Sequence, residues 1–494
     1  MSIFPAVAVG SAAFPGYGEP TGPVMRKNRD VTRIVIIGGG PGGYEAALVA
    51  AQLGAQVTVV EQDGPGGACV LTDCVPSKTL IASSVRKQAL LDASMLGVHY
   101  TGGPDGDAGG VIADMPEVNR RVKELARAQS ADIAARLAAE GVEVVQAPGR
   151  LVDPQVVRAG DRTIRADVVI VATGATPRIL TGAEPDGERI LTWRQLYDLG
   201  ELPEHLIVVG SGVTGAELAG AYRSLGSEVT LVSSRDRMMP NEDADAAEVL
   251  EEVYRRRGMN VMGRSRAESV KRTADGVVVT LEDGRTAEGS HCLMTVGMVP
   301  NTAGIGLEEA GVTLDRGGFV QVDKVSRTSA PGVYAAGDCT GVLMLASVAA
   351  MQGRIAVWHA LGEAVQPLRL ATVASNIFTD PEIAAVGVTQ KSIEAGEIEA
   401  TVVKLPLATN ARAKMQGFSD GFVKLFCRPH TGIVLGGVVV APRASELILA
   451  VSLAVQQRLT VDQVAHTFAV YPSLSGSITE AARRLMQPMT PSGI

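Results

Sequence analysis

Twice along this chain a short β-branched run meets three glycines spaced G-x-G-x-x-G, then a helical stretch, a glycine stop and a second apolar run. In the first copy, Thr32 to Ile37 leads into Gly38, Gly40 and Gly43. Tyr44 to Leu53 has helix composition, Gly54 is its stop, and Gln56 to Val60 ends at Glu61. In the second, His205 to Val209 leads into Gly210, Gly212 and Gly215. Ala216 to Leu225 reads as the helix, Gly226 as its stop, and Glu228 to Val232 as the next strand. The first glycine of each set permits a tight turn, the second lets backbone approach a pyrophosphate, and the third allows close helix packing. Amides and a partial positive charge at the helix N-terminus then face the phosphates. Glu61, twenty-three positions after Gly38, is placed to accept hydrogen bonds from an adenosine ribose. One glycine set alone is a weak signal; strand, glycines, helix, strand and acid in register are specific. Two intact sets predict an α/β chain with two Rossmann-like units. They predict two bound dinucleotides, FAD at one and a nicotinamide nucleotide at the other, over the alternative of a duplicated unit with one dead site.

The second unit lacks the acid. Where Glu61 stands in the first, the second has Ser233, followed by Ser234, Arg235, Asp236 and Arg237. A carboxylate there would hold the ribose of NAD and repel a 2'-phosphate. Small hydroxyls and two arginines remove the repulsion and offer charge-assisted bonds instead. The expectation is that NADPH is accepted, with NADH left open; the bland alternative is a solvated loop.

At 494 residues the chain has room for about three domains of ~150 residues. A net charge of -8 and an aromatic content of 4% argue against nucleic acid, whose phosphates need clustered Lys and Arg and whose bases need stacking platforms. No apolar run is long enough to span a bilayer, since Arg33 to Ala51 is broken by glycines and Pro41. Residues 1–30 have no basic residue before Arg26, and Pro5 and Pro15 interrupt them. They read as a disordered extension, or a start placed upstream of Met25, rather than a secretory signal. The cytoplasm is therefore the expected location. Of five cysteines only Cys69 and Cys74 lie close together; Cys292, Cys339 and Cys427 are isolated, and no Cys/His spacing suits a metal.

The segment from Gly66 to Lys78, GGACVLTDCVPSK, resembles the redox-active segment of the pyridine nucleotide-disulfide oxidoreductases, the family of lipoamide dehydrogenase, glutathione reductase and mercuric reductase. Ala172-Thr173-Gly174, Gly297 with Pro300-Asn301, Tyr334-Ala335-Ala336-Gly337-Asp338 and Phe378-Thr379-Asp380-Pro381-Glu382 are similar to further blocks, in the family's order. The resemblance runs from Val31 to Met486 and implies a plan. Residues 31–175 would begin the FAD domain, with a helical excursion near Met115 to Glu140, and residues 291–367 would complete it. Residues 176–290 would form the NAD(P) domain. Residues 368–494 would form an α+β dimerisation domain, and hence a homodimer. The resemblance also implies FAD contacts from Thr173, Gly174, Gly337 and Asp338, the last on the ribityl chain, and a nicotinamide contact from Gly297. Lys78 would sit near flavin N5 and pair with Glu217; a cation there stabilises the electron-rich reduced ring. Cys69 and Cys74 are implied to be a redox pair, with Cys74 nearest the ring and Cys69 exchanging with substrate as a thiolate. The alternative is two small apolar residues retained from ancestry.

One block departs from the family. Its disulfide reductases carry a His-Pro with a Glu five residues after the His, which act as acid and base across the dimer; here Tyr471-Pro472 and Gly476 stand in those places. An unperturbed Tyr, with a pKa near ~10, is ionised in roughly one molecule in a thousand at pH 7. Loss of acid–base help typically costs about 10²- to 10⁴-fold. Dithiol turnover should therefore be poor. A quinone takes electrons directly from reduced flavin and needs neither thiols nor base, which makes a quinone-type acceptor the leading expectation. Arg194-Gln195-Leu196-Tyr197-Asp198-Leu199 and Tyr471 to Arg484 resemble the actinobacterial branch of the family that reduces quinones. Two alternatives stay open: a dihydrolipoamide dehydrogenase or other disulfide reductase with a different base, and a flavin-binding scaffold without catalysis. The intact second glycine set, Lys78 and Glu217 count against the scaffold.

Overall fold

The computed structural model describes residues 31–99 and 110–486; the expected extension at 1–30 lies outside them. Arg33–Ile37 is buried at four of its five positions, as a strand covered on both faces must be. It pairs in parallel with Gln56–Glu61, Arg33 opposite Gln56, and with Val168–Val171, Ile34 opposite Val168. Val333–Ala335 and Glu143–Gln146 complete the sheet at its two edges. The crossover helix Pro41–Gln52 starts with its proline in the first turn, where no amide partner is lost. It packs on the helix Ala346–Ala360 so closely that a Cβ on Gly353 would lie 2.1 Å from the Gly42 carbonyl oxygen. Met115–Ala139, started by the Asp114 side chain on the Glu117 amide, occupies the place of the expected helical excursion.

The second parallel sheet runs Asn260–Met262, Glu228–Val232, His205–Val209, His291–Met294, Ile190–Leu191. His291–Met294 pairs directly with the first strand of this unit, Leu206 opposite His291. The expected boundary at 290 is thus too early, because this apolar run is buried in the second core. A two-stranded antiparallel ribbon, Ala175–Pro177 with Met298–Pro300, carries the chain out to the second unit and back.

From Ala374 onward the architecture changes to an antiparallel sheet in the order Ala374–Ile377, Glu382–Gly387, Val434–Ala441, Phe422–Cys427, Thr401–Pro406. The helices Ala444–Gln457 and Gly476–Leu485 bury Ile448, Val451, Ile478 and Ala481 in one core with Val423, Leu425 and Val439. Several ion pairs tie this sheet to the second unit, among them Arg256 with Asp420 and Lys404 with Asp245. Arg257 Nη2 meets Asp380 Oδ2 at 2.8 Å, and Lys424 Nζ meets Asp243 Oδ2 at 2.8 Å with side chains only 3% and 4% exposed. Asp243 also caps the helix Ala244–Arg256. No helix among the described residues is long and apolar enough to cross a membrane.

Candidate active site

The two glycine sets have the same geometry. A side chain at Gly38 would meet the Ala172 carbonyl oxygen at 2.2 Å, one at Gly43 would meet the Gly38 oxygen at 1.9 Å, and beside Gly40 nothing lies within 4 Å. In the second unit Gly210 faces the Thr295 oxygen at 2.3 Å, Gly215 faces the Gly210 oxygen at 1.9 Å, and Gly212 is open. The outer glycines serve close packing, and the middle one bares backbone for a phosphate. Neither following helix has a side-chain cap, so the first-turn amides of both are left for a ligand.

The units diverge at the acid. Glu61 is nearly buried; its Oε2 accepts from the Gly39 amide at 2.5 Å and its Oε1 from the Asp63 amide at 2.7 Å. Ser233, in the equivalent place, is fully buried, with its hydroxyl 2.7 Å from Ser211 Oγ and accepting from the Arg235 amide at 3.2 Å. The Ser233 hydroxyl thus turns inward on Ser211. So short a side chain is satisfied by Ser211, and the exposed residues of the loop are Ser234, Arg235, Asp236 and Arg237.

Cys69 lies in the short helix Gly67–Leu71, and Cys74 begins the helix Cys74–Asp92. Both thiols are free and half-buried. The neighbouring Cys74 thiol and burial push Cys69 well above the usual thiol range, while Cys69 and Lys78 draw Cys74 down. Lys78, one helical turn on, shares a face with Cys74. Its Nζ donates to Glu217 Oε2 at 2.8 Å, and Glu217 Oε1 accepts from the Phe378 amide at 2.8 Å. The same Nζ stands 5.1 Å from the centre of the Phe378 ring. Burial opposes the charge on Lys78, but Glu217 and Cys74 outweigh it and raise its pKa. A cleft of about 560 Å³ opens here, lined by Lys78, Ile81, Phe378, Glu382 and Arg443.

Asp338 follows Gly337, whose amide donates to Gln352 Oε1 at 2.9 Å. Burial, with the Asp73 carboxylate nearby, pushes Asp338 up to about 6. The Thr173 carbonyl is held by Asn301 Nδ2 at 2.9 Å, and Gly174 beside it leaves open space.

Residues 32–353 match the pyridine nucleotide-disulphide oxidoreductase pattern, and residues 373–482 match the dimerisation domain of the same name. The chain belongs to this family. It is 61% identical over 470 residues to a Mycobacterium tuberculosis protein named NAD(P)H dehydrogenase (quinone), covering 92% of this chain and 94% of that one. It is 34% identical over 465 residues to the dihydrolipoyl dehydrogenase of Chlorobaculum tepidum, covering 92% and 97%. The crystal structure of LpdA from Mycobacterium tuberculosis superposes with a TM-score of 0.87 at 60% identity, covering 92% of this chain and all of that one. As a member of the family the protein is an oxidoreductase that uses FAD and NAD(P)H.

The first unit fits FAD on its own geometry: a bare backbone at Gly40 and Gly174, the Glu61 carboxylate at the strand end, and Asp338 beyond Gly337. Gly297 lies on the margin of the two-stranded ribbon, its carbonyl accepting from the Arg178 amide at 2.9 Å. Tyr471 stands 85% exposed beside the exposed Phe468 and Val470, and Gly476 opens the last described helix. No group of three His, Cys, Asp or Glu side chains among the described residues could hold a metal. Sequence reasoning misses Asp73, the acid between the two cysteines, which burial raises and which feels Lys78, Glu217 and Arg194. Tyr197, named above only within its block, is 4% exposed, and its hydroxyl has no hydrogen-bond partner among the described residues. The acid is visible in the segment from Cys69 to Cys74; its depth is not.

Proposed function

We propose that this protein is a homodimeric, cytoplasmic NAD(P)H:quinone oxidoreductase in which NAD(P)H, a proton and a quinone become NAD(P)⁺ and a hydroquinone. The observation that carries the reading is an intact hydride side facing an incomplete thiol side. Lys78, Glu217 and Phe378 are assembled, while Tyr471 and Gly476 stand where acid–base residues would serve the thiols. The name of the 61% identical relative supports it.

Bound FAD supplies the two-electron chemistry between donor and acceptor. The chain supplies position and charge. Residues 31–175 and the return segment up to about 367 build the FAD unit, in which Glu61 takes the adenosine ribose, Thr173 and Gly174 line the ring's approach, and Asp338 takes the ribityl chain. Gly210, Gly212 and Gly215 seat the nicotinamide nucleotide, with Gly297 at its margin, and NADPH serves at least comparably to NADH. Lys78, fixed by Glu217, holds a positive charge where negative charge gathers on reduction. Residues from 368 onward pair two copies of the chain, burying Pro472 to Met486.

A second reading has one observation in its favour: Cys69 and Cys74 are neighbouring free thiols, and Cys69 and Lys78 draw the Cys74 thiol down, as dithiol exchange needs. Steady-state turnover separates the two. With a benzoquinone and with lipoamide as acceptors, wild type and Cys69→Ser should keep quinone activity, and wild-type lipoamide turnover should be poor. Tyr471→His with Gly476→Glu should raise it. Quinone activity that vanishes in Cys69→Ser, or brisk wild-type lipoamide turnover, would overturn the proposal.

A further inference from the structure

The loop after the third strand of the second unit is stitched to the loop that carries Arg235 and Arg237. The Ser233 amide donates to the Met262 carbonyl at 2.8 Å, the Arg264 amide to the Arg235 carbonyl at 3.0 Å, and the Ser265 amide to the Ser233 carbonyl at 3.3 Å. Gly263 is held from the other side, its carbonyl accepting from Arg285 Nη2 at 2.7 Å. The two loops are one rim. On it Arg264 has φ +70°, a left-handed conformation that side-chain-bearing residues rarely adopt and that glycine would adopt freely. An arginine kept in a glycine's conformation, with its backbone fixed to the carbonyl of another arginine, is distinguished from an ordinary solvated side chain.

Its guanidinium is 78% exposed, and Nε reaches Asp236 Oδ1 at 3.2 Å. That contact engages Nε, and most of the side chain stays in solvent. The pair is exposed on both sides and therefore weak. Arg235 and Arg237 stand exposed on the same rim, with no ion pair among the described residues. Three guanidinium groups against one carboxylate leave a net charge of +2 on the rim. A phosphate monoester carries about -1.5 to -2 at pH 7, and a guanidinium fork matches its oxygens. The first unit offers a contrast. Its corresponding loop is joined to Glu61 in the same way, the Ala147 amide donating to the Glu61 carbonyl at 3.1 Å, but Ala147 and Pro148 carry no charge.

We propose that Arg264 is a specificity residue for NADPH, a third cationic ligand for the 2'-phosphate beside Arg235 and Arg237, with Asp236 as its positioning partner. The inference rests on the reading that NADPH is accepted, and extends it to a loop about thirty residues further along the chain.

The test is calorimetric titration of the FAD-loaded full-length protein with adenosine 2',5'-bisphosphate and with adenosine 5'-monophosphate, which share all but the 2'-phosphate. Arg264→Gly keeps the left-handed turn and so the fold; it should weaken the bisphosphate roughly tenfold and leave the monophosphate within about twofold. Arg264→Glu should weaken the bisphosphate further. Arg266→Ala, two residues along and also exposed, removes the same charge and should change neither. Unaltered bisphosphate affinity in Arg264→Gly, equal losses for both ligands, or an equal loss in Arg266→Ala each overturns the assignment. If the wild type binds the two ligands alike, the underlying reading of NADPH use fails instead; a wild type that prefers the bisphosphate with an Arg264→Gly that keeps the preference sinks the Arg264 inference alone.

Discussion

The two dinucleotide units of this protein are the same machine to within a few tenths of an ångström where the glycines pack, and different at one side chain. A Cβ added to Gly38 or Gly210 would lie 2.2 or 2.3 Å from a carbonyl oxygen, and one added to Gly43 or Gly215 would lie 1.9 Å from one. At the end of the second strand, one unit presents a carboxylate to two amides, and the other closes a pair of buried hydroxyls, Ser233 on Ser211. The difference teaches that the glycines decide whether a dinucleotide fits, and the strand ends decide which one. A carboxylate suits two ribose hydroxyls; a neutral pair under an arginine rim suits a phosphate.

Exchanging the distinguishing residues should break the comparison. Glu61→Ser removes the acceptor from the first unit and leaves the Gly39 and Asp63 amides without it. Apoprotein should then bind FAD more weakly by about 2–4 kcal/mol, or roughly 30- to 1000-fold. Fluorescence titration measures this, and a variant that purifies with full flavin would contradict the role of Glu61. The reverse exchange, Ser233→Glu, places a carboxylate where the second unit has none. The ratio of kcat/KM for NADH over NADPH should rise on the order of 100-fold; an unchanged ratio would show that the strand end does not choose.

Two milder predictions sharpen the contrast. Asp338 titrates at about 6 because burial favours its neutral form, whereas hydroxyl donors from a ribityl chain favour the carboxylate. With a pKa raised above the ordinary carboxyl value, its contribution to apoprotein stability is present at low pH and lost as pH rises through about 6. FAD binding should run the other way, tightening roughly tenfold between about pH 5 and pH 7 and levelling off above. The same titration on Asp338→Asn should lose that slope; a slope that persists points to another group. The smallest effect is ionic. Raising salt from about 0.05 to 0.5 M should increase KM for NADPH two- to fivefold and leave KM for NADH nearly constant, because only the former meets the exposed arginines.

Much of this was open to sequence reasoning because the constraints are local. Each glycine set, with the strand before and the helix after, lies within about thirty residues, and Glu61 follows at a fixed spacing. Lys78 and Glu217 are identified through the blocks around them, and the structure brings them to 2.8 Å. The rest depends on contacts that no short window contains. Ser233 turns inward because Ser211 is there to meet it. Phe378 contributes a backbone amide, which has no sequence signature. Arg264 matters only once its loop is laid against Arg235, and the boundary at 290 shifts because His291–Met294 finds its partner at Leu206.

Lys424 and Asp243 meet where water is excluded from both. Removing Lys424 would strand the Asp243 carboxylate, at a cost of about 3–5 kcal/mol, whereas Lys424 without Asp243 would keep Asp245 as a partner. Asp243 also starts the helix Ala244–Arg256, so one break would loosen the second unit and the antiparallel sheet together. The joint couples the second unit to the antiparallel sheet, and the two should unfold in one shared transition.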